Sequence, residues 1–95
     1  MQDLTVEDFA ARVNDDFRVS DGSASWQFSL VEAAARGSGR PGKRTPFALL
    51  FLGPAAPILP QAMYRFEHPA LPPLDLFIVP VGPDGDRMRY EAIFT

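Results

Sequence analysis

The segment LFIVPVGPDGDRMRYEAIFT, residues 76–95, decides what kind of fold this chain can adopt. It consists of two apolar runs joined by Pro-Asp-Gly-Asp at 83–86, which is a turn signal between strands. The second run alternates apolar and polar side chains, and its apolar set is Met88, Tyr90, Ala92 and Phe94. The alternation predicts a β-hairpin with one buried face. Its last strand is expected to be covered, either by a sheet that closes on itself or by a second chain.

The same two-residue alternation predicts further strands before this hairpin. They are expected at residues 17–20, 25–35, 45–53, 61–68 and, as the first strand of the hairpin, 74–81. The strand at 45–53 carries apolar residues on both faces, which indicates that it is the most buried. Pro80 cannot donate a hydrogen bond to a neighbouring strand, so it predicts a bulge or an edge position.

A single helix is expected at residues 4–15, ahead of the strands. Thr5 and Asp8 have the spacing of a capping box at its start. We therefore predict one domain over residues 1–95 that is mainly β with a minor α contribution. Its expected architecture is a small antiparallel β-barrel or sandwich of five to six strands, at 17–95, with one N-terminal helix.

The composition limits the class of protein. The chain has 95 residues, of which 46% are hydrophobic and 22% charged, which is enough for one small core. It contains no cysteine, so disulfides and thiolate metal sites are excluded. No apolar run reaches the roughly 20 residues that span a bilayer, and the N-terminal residues lack the features of a signal peptide. We expect a protein that is cytoplasmic as synthesised and does not act in a membrane.

No group of residues in the sequence has the spacing of a catalytic, cofactor-binding or metal-binding site. The loop GSGRPGKR at 37–44 matches part of a phosphate-binding P-loop, but Arg44 stands where a serine or threonine is needed. His68 is the single histidine, and its neighbour Glu67 faces the other side of the same strand. His68 is therefore expected to pack against or cap the turn that follows it. We predict that the chain is not an enzyme and needs no cofactor.

Basic residues are concentrated in the loop at 36–44, which contains no acidic residue. They are Arg36, Arg40, Lys43 and Arg44. Such a loop can contact phosphate groups without sequence preference, which gives an alternative function as a polyanion-binding or nucleic-acid-binding module. The net charge of −3 argues against nucleic acid as the main partner.

Three stretches of the chain resemble a family of small uncharacterised bacterial proteins that share a domain of unknown function. They are PFALLFLGP at 46–54, LPQAMYRFEHPALPPLDLFIVPVG at 59–82 and RYEAIF at 89–94. The resemblance covers roughly residues 26–95 and brings no assigned catalytic or binding residues. It also implies a role with a phage-tail-derived fibre or its assembly, because genes of the family often lie beside genes for phage-tail-collar and microcystin-dependent-type proteins.

Polar side chains alternate with apolar ones on neighbouring strands of the predicted sheet, and five of them are candidate contacts with a partner. They are Gln61, Arg65, Glu67, Arg89 and Glu91. Such residues form either cross-strand ion pairs or the polar rim of an interface. With the resemblance, they predict a non-enzymatic protein–protein interaction module that acts as a structural accessory, adaptor or assembly chaperone of a fibre or collar protein. Its partner is then that protein or a second copy of the chain, and its destination a phage-tail-like particle.

Overall fold

The computed structural model describes residues 4–36 and 46–94, which form one short helix and six strands. The helix, α1, spans Val6–Ala10. The strands are β1 (Asp16–Ser20), β2 (Ser25–Ala35), β3 (Phe47–Pro54), β4 (Ala62–His68), β5 (Leu71–Asp84) and β6 (Arg87–Phe94). Strand β5 is longer at both ends than the alternation at 74–81 indicates, and the other strands agree with expectation to within two residues.

The six strands close into an antiparallel barrel in the order β1-β2-β3-β6-β5-β4. Two three-stranded meanders, β1–β3 and β4–β6, are joined by the pairing of β3 with β6 and of β1 with β4. The second of these joins is short and places Arg18 opposite Glu67. The structure therefore confirms the barrel and excludes the sandwich. Strand β6 lies between β3 and β5, so the last strand is covered by the sheet itself.

Aromatic side chains fill the barrel from every strand except β5. Phe51 of β3 packs edge-on against Phe17 at 5.5 Å between ring centroids and tilts against Phe66 at 4.9 Å. Phe28 lies 4.8 Å from Tyr90. The Phe28 ring also leaves no room for a side chain at Gly53, where an added Cβ would lie 2.6 Å from it. The inner face of the sheet is thus closely packed.

Strand β3 follows the predicted alternation, but a closed barrel has no central strand. Its inward side chains Phe47, Leu49 and Phe51 are fully buried, whereas the outward Leu50 and Leu52 are half-buried. The prediction that β3 is the most buried strand is confirmed, since it is the one strand without an exposed residue. It is not central, because each strand of a closed barrel has two neighbours and one outer face.

Helix α1 closes one end of the barrel. Phe9 is completely buried and contacts the rings of Phe47 and Phe94, with centroids 5.7 and 5.5 Å away. The helix begins as predicted, with the Thr5 N–H donating to Asp8 Oδ2 at 2.9 Å. Among the described residues, no helix has the length and apolar content to cross a bilayer.

The helix ends at Ala10 and not near residue 15, which corrects the sequence prediction. Asn14 has φ 77°, a left-handed conformation that a helix cannot continue through. Its N–H donates instead to the carbonyl of Leu30 at 2.7 Å, which attaches the turn to β2.

The connection between β3 and β4 leaves the barrel at the end opposite α1 and returns one side chain to the core. Leu59 is buried, and its N–H donates to the hydroxyl of Tyr90 at 2.8 Å. The hydroxyl of Tyr64 donates to the carbonyl of Pro60 at 2.8 Å. Both ends of the barrel are therefore covered by residues of the chain.

The proline and glycine residues of the last hairpin act as predicted. The register of β5 against β6 shifts between Pro80 and Gly82, so Pro80 marks a bulge. Gly85 has φ 63° and occupies the first position of the two-residue connection to β6. A type II′ turn requires a positive φ at that position, which glycine adopts without strain.

Candidate functional site

Within residues 4–36 and 46–94, the surface open to another molecule is the outer face of the barrel. The inward side chains pack against one another, and the two ends are covered by α1 and by Leu59. Among the described residues, no group of His, Cys, Asp and Glu side chains is arranged to hold a metal ion. Large apolar side chains on that outer face are the feature whose exposure needs a physical reason.

Three large apolar side chains form a row across the outside of three adjacent strands. Met63 of β4 is the register partner of Phe77 of β5. Ile78 pairs with Ala92, which places Phe77 beside Ile93 of β6. The three residues are 58%, 50% and 46% exposed, respectively. We call Met63, Phe77 and Ile93 the apolar patch; they also line a shallow depression of about 290 Å³.

The apolar patch continues along β5. The side chains of Leu76 and Ile78 point into the core. Those of Phe77, Val79 and Val81 point outward. No charged residue lies between Asp75 and Asp84. Strand β5 is thus apolar on both faces over this length, although a closed barrel buries only one of them.

Two ion pairs border the apolar patch, and they involve two of the five residues predicted to contact a partner. Arg65 Nε lies 3.5 Å from Asp75 Oδ1, beside Met63 and Phe77. Glu91 Oε2 lies 3.9 Å from Arg36 Nη1, and Glu91 stands two residues before Ile93 on β6. All four side chains are at least 40% exposed, so each pair contributes about 0–1 kcal/mol to stability. Their positive and negative charges balance, which leaves the border of the patch electrically neutral.

The other three predicted contact residues lie at different places. Gln61 is exposed immediately before β4, and Arg89 lies on β6 opposite Leu52 and Gly82. The Nε atom of Arg89 is buried and has no hydrogen-bond partner in the described part of the chain. Glu67 lies on β4 opposite Arg18 of β1, four residues after Met63.

Glu67 pairs with Arg18 of β1, with Oε1 and Nη1 2.6 Å apart. This pair lies between two connected depressions of about 420 and 350 Å³, which share Arg18, Glu67 and Pro69 in their linings. The five predicted residues therefore do not form one surface. Arg65 and Glu91 border the apolar patch, whereas Glu67 lines the two depressions beside Arg18.

Of the basic residues in the loop at 36–44, only Arg36 lies within the described residues. Its backbone N–H donates to the carbonyl of Pro46 at 2.7 Å, and its side chain pairs with Glu91. Arg40, Lys43 and Arg44 lie outside the described residues, so the predicted anion site stays a prediction.

His68 connects the first turn of the chain to the β4–β5 hairpin. Its Nε2 lies 2.8 Å from Asp15 Oδ2, and its Nδ1 accepts a hydrogen bond from the N–H of Ala70 at 2.9 Å. A ring that accepts at Nδ1 carries its proton on Nε2 and donates it to Asp15. The ring also contacts Phe17. His68 thus packs against the turn and bonds to it, as the sequence predicts.

Among the described residues, two side chains have perturbed pKa values, and both lie in or beside turns. Hydrogen bonds from the backbone N–H groups of Ala24 and Ser23 lower the pKa of Asp21. Burial raises the pKa of Tyr64, whose hydroxyl donates to Pro60. Neither residue belongs to the apolar patch, so these shifts are explained by local structure and need no catalytic role.

The apolar patch was not among the sequence predictions, although the signal for it was present. Met63 alternates with Gln61 and Arg65, which places it on an outward face. Residues 76–81 are apolar without interruption, which implies that some of them face outward in a small barrel. Recognising the patch requires the register that brings Met63, Phe77 and Ile93 together, and sequence alone does not supply it.

Comparison with known proteins gives one family. A family model described as "Domain of unknown function (DUF6916)" matches residues 4–94, which include α1 and all six strands. No curated protein and no solved structure matches the chain. The match confirms the resemblance to a domain of unknown function and extends it across the helix, whereas the implied fibre partner stays a prediction.

Proposed function

Since the chain belongs to the DUF6916 family, a domain of unknown function, its role must be inferred from its surface, and we propose that it is a non-enzymatic protein–protein interaction module. Its contact surface is the apolar patch, with the Arg65–Asp75 and Arg36–Glu91 pairs as a polar border. The observation that carries this proposal is the row of Met63, Phe77 and Ile93, three large side chains left about half exposed side by side.

The physical reason is the cost of hydrating contiguous apolar surface. Exposed hydrophobic side chains scattered singly are ordinary in monomers, whereas adjacent ones with a polar border are typical of interfaces. Fully burying an exposed side chain of this size is worth about 1.5–3 kcal/mol, and covering the exposed half of each is worth about half of that. Three neighbouring strands each contribute one, so a partner that covers the row gains from all of them together.

The shape and charge of the patch favour a protein over other partners. Its depression is shallow, whereas small-molecule sites are concave and enclose most of the ligand. The bordering charges are paired and balanced, which gives a polyanion no excess of positive charge to bind. An apolar protein surface matches both properties.

The more specific form of the proposal concerns the partner. We propose a fibre or collar-type protein of a phage-tail-derived particle, which the chain serves as structural accessory, adaptor or assembly chaperone. Its support is the resemblance carried by residues 46–54, 59–82 and 89–94, whose family implies that context. Self-association through the same surface is the other form that the proposal takes.

Capture of partners from the native host tests the proposal. Immobilised wild-type chain, Phe77→Glu and Ile58→Glu are compared, with bound proteins identified by mass spectrometry. Ile58 is the matched control because it is 58% exposed and apolar but lies in the β3–β4 connection. We expect Phe77→Glu to lose the partner by roughly tenfold or more and Ile58→Glu to keep it.

Equal capture by all three chains would overturn the assignment of the patch. Repeating the capture at about 50 and about 500 mM salt separates the alternative function, because polyanion binding weakens steeply over this range and an apolar contact does not. Loss of capture at high salt, together with retention by Phe77→Glu, would favour the basic loop at 36–44.

A further inference from the structure

We infer that the apolar patch binds a second copy of the same chain, about a two-fold axis parallel to β5. This inference rests on the proposed function, because it names the partner of the same surface. It is supported by three properties of the described residues: the shape of the contact available, the balance of charge and the order of side chains across the strands.

The closed barrel determines the kind of contact. Every strand has a hydrogen-bonded neighbour on each side, and even the shortest pairing, of β1 with β4, joins residues 18–20 to 65–67, so the described sheet offers no whole strand edge to an added strand. A partner must therefore dock face to face on outward side chains. Since α1 and Leu59 cover the two ends, the side wall that carries the apolar patch is the large apolar surface that is left.

The order of side chains makes the patch complementary to itself. A two-fold axis parallel to β5 reverses the strand order of the second copy. Met63 of each copy then faces Ile93 of the other, and the two Phe77 rings meet near the axis. The Met63–Ile93 contact occurs twice and the Phe77–Phe77 contact lies on the axis, as in an isologous interface. Apolar side chains meet only apolar side chains along the whole row.

The polar residues around the patch are complementary under the same operation. Glu91 pairs in register with Val79, and Gln61 lies at the corresponding level on the other side of β5. Gln61 of one copy thus faces Glu91 of the other and can donate its amide N–H to the carboxylate.

The Arg65–Asp75 pair of one copy lies next to the same pair of the other copy at the axis. Each Asp75 then has its own Arg65 on one side and Arg65 of the second copy on the other. The two Asp75 carboxylates face each other at the axis, as the two Phe77 rings do, and the Arg65 guanidinium groups of both copies flank them, so two negative charges are offset by two positive ones. This balance favours a neutral, apolar partner, and a second copy is such a partner.

The extent of the patch predicts a weak dimer. Three side chains that are 46–58% exposed leave roughly 300 Å² of apolar surface per copy, at the low end for a functional patch. The two copies together bury about 600 Å² of apolar surface, which is below the roughly 1,200 Å² at which specific stable interfaces begin. We expect a dissociation constant on the order of tens of micromolar.

Analytical ultracentrifugation of the purified chain, from about 5 to about 500 µM, tests this inference. The wild-type chain and Ile58→Glu should pass from one to two chains per particle over this range. Phe77→Glu and, independently, Met63→Glu should stay monomeric, with circular dichroism and melting curves showing that they remain folded. A wild-type chain that is monomeric throughout, or a Phe77→Glu variant that dimerises like it, overturns the inference.

A mixed sample tests the symmetry. Met63→Glu and Ile93→Lys each replace an apolar contact by a charge against an apolar side chain, so each is expected to dimerise at least tenfold more weakly alone. Mixed together, they place the new carboxylate opposite the new ammonium and should form a heterodimer in preference to either homodimer. Absence of this preference would overturn the proposed axis.

The outcome is distinguishable from failure of the proposed function. If the wild-type chain stays monomeric while Phe77→Glu still loses a host protein in the capture experiment, the self-association inference is wrong and the proposed function as an interaction module is supported. If Phe77→Glu changes neither capture nor association, both fall.

Discussion

The backbone N–H of Leu59 donates a 2.8 Å hydrogen bond to the phenolic oxygen of Tyr90. Both residues are buried, at 5% and 0% exposure, respectively. The bond attaches the connection between β3 and β4 to strand β6, and it holds Leu59 in the core at the end of the barrel that α1 does not cover.

Tyr90→Phe should therefore destabilise the barrel. The substitution keeps the ring but leaves the buried N–H of Leu59 without an acceptor, which costs about 1–3 kcal/mol in the free energy of unfolding. Tyr64→Phe is the control, since the hydroxyl of Tyr64 bonds to Pro60, which is exposed and can be hydrated instead. Urea unfolding measures the free energy of unfolding of both variants. Equal losses of stability would contradict a larger contribution from the Leu59–Tyr90 hydrogen bond.

The core prediction concerns neighbouring residues of β3. Phe51→Ala removes a fully buried ring that contacts Phe17 and Phe66, and it should cost about 3–5 kcal/mol, enough to unfold most of the molecules. Leu50→Ala, on the half-buried outer face, should cost less than half as much. The comparison uses thermal melting followed by circular dichroism. A Phe51→Ala chain that melts cooperatively near the wild-type temperature would contradict this packing.

The positions of the strands could be predicted because the two-residue alternation is local. Closure of the barrel could not, because it depends on a three-residue pairing between β1 and β4, whose partners Arg18 and Glu67 are far apart in sequence. The helix was predicted too long because nothing in the sequence required Asn14 to adopt a left-handed conformation.

The site was harder to predict than the fold. Arg65 and Glu91 were recognised as candidate contacts because they alternate with core residues. Met63, Phe77 and Ile93 become neighbours only through the register of three strands, and bulges between Phe66 and His68 and between Pro80 and Gly82 shift that register. A shift of one residue would place a different set side by side.

Acid should weaken the turn between β1 and β2 through Asp21. Hydrogen bonds from Ala24 and Ser23 lower its pKa in the folded state, so the ionised carboxylate stabilises the fold above its ordinary pKa. That contribution is lost as the pH falls through the lowered folded value. Asp21→Asn keeps an acceptor but removes the charge, so its urea midpoint should fall less than that of the wild type between about pH 6 and pH 2. If the urea midpoints of the wild type and of Asp21→Asn fall by the same amount between these pH values, the linkage is refuted.

Strand β6 should be among the slowest regions to exchange its amide hydrogens. It pairs with β3 along its whole length and with β5 as far as Ala92, so its amides have partners within the barrel. Hydrogen exchange followed by mass spectrometry should show residues 91–94 protected and the turn at 21–24 unprotected. Deleting residues 92–95 should abolish folding for the same reason. Exchange in β6 as fast as in that turn would mean that the strand is frayed.

The central claim is that Met63, Phe77 and Ile93 form a contact surface, and methyl NMR tests it most directly. With the methyl groups of methionine and isoleucine labelled, the signals of Met63 and Ile93 should shift on concentration or on addition of a captured partner. The signals of Ile78, which is fully buried, and of Ile58, which lies outside the patch, should stay in place. Shifts confined to Ile58, or none at Met63 and Ile93 under conditions of binding, would contradict the claim.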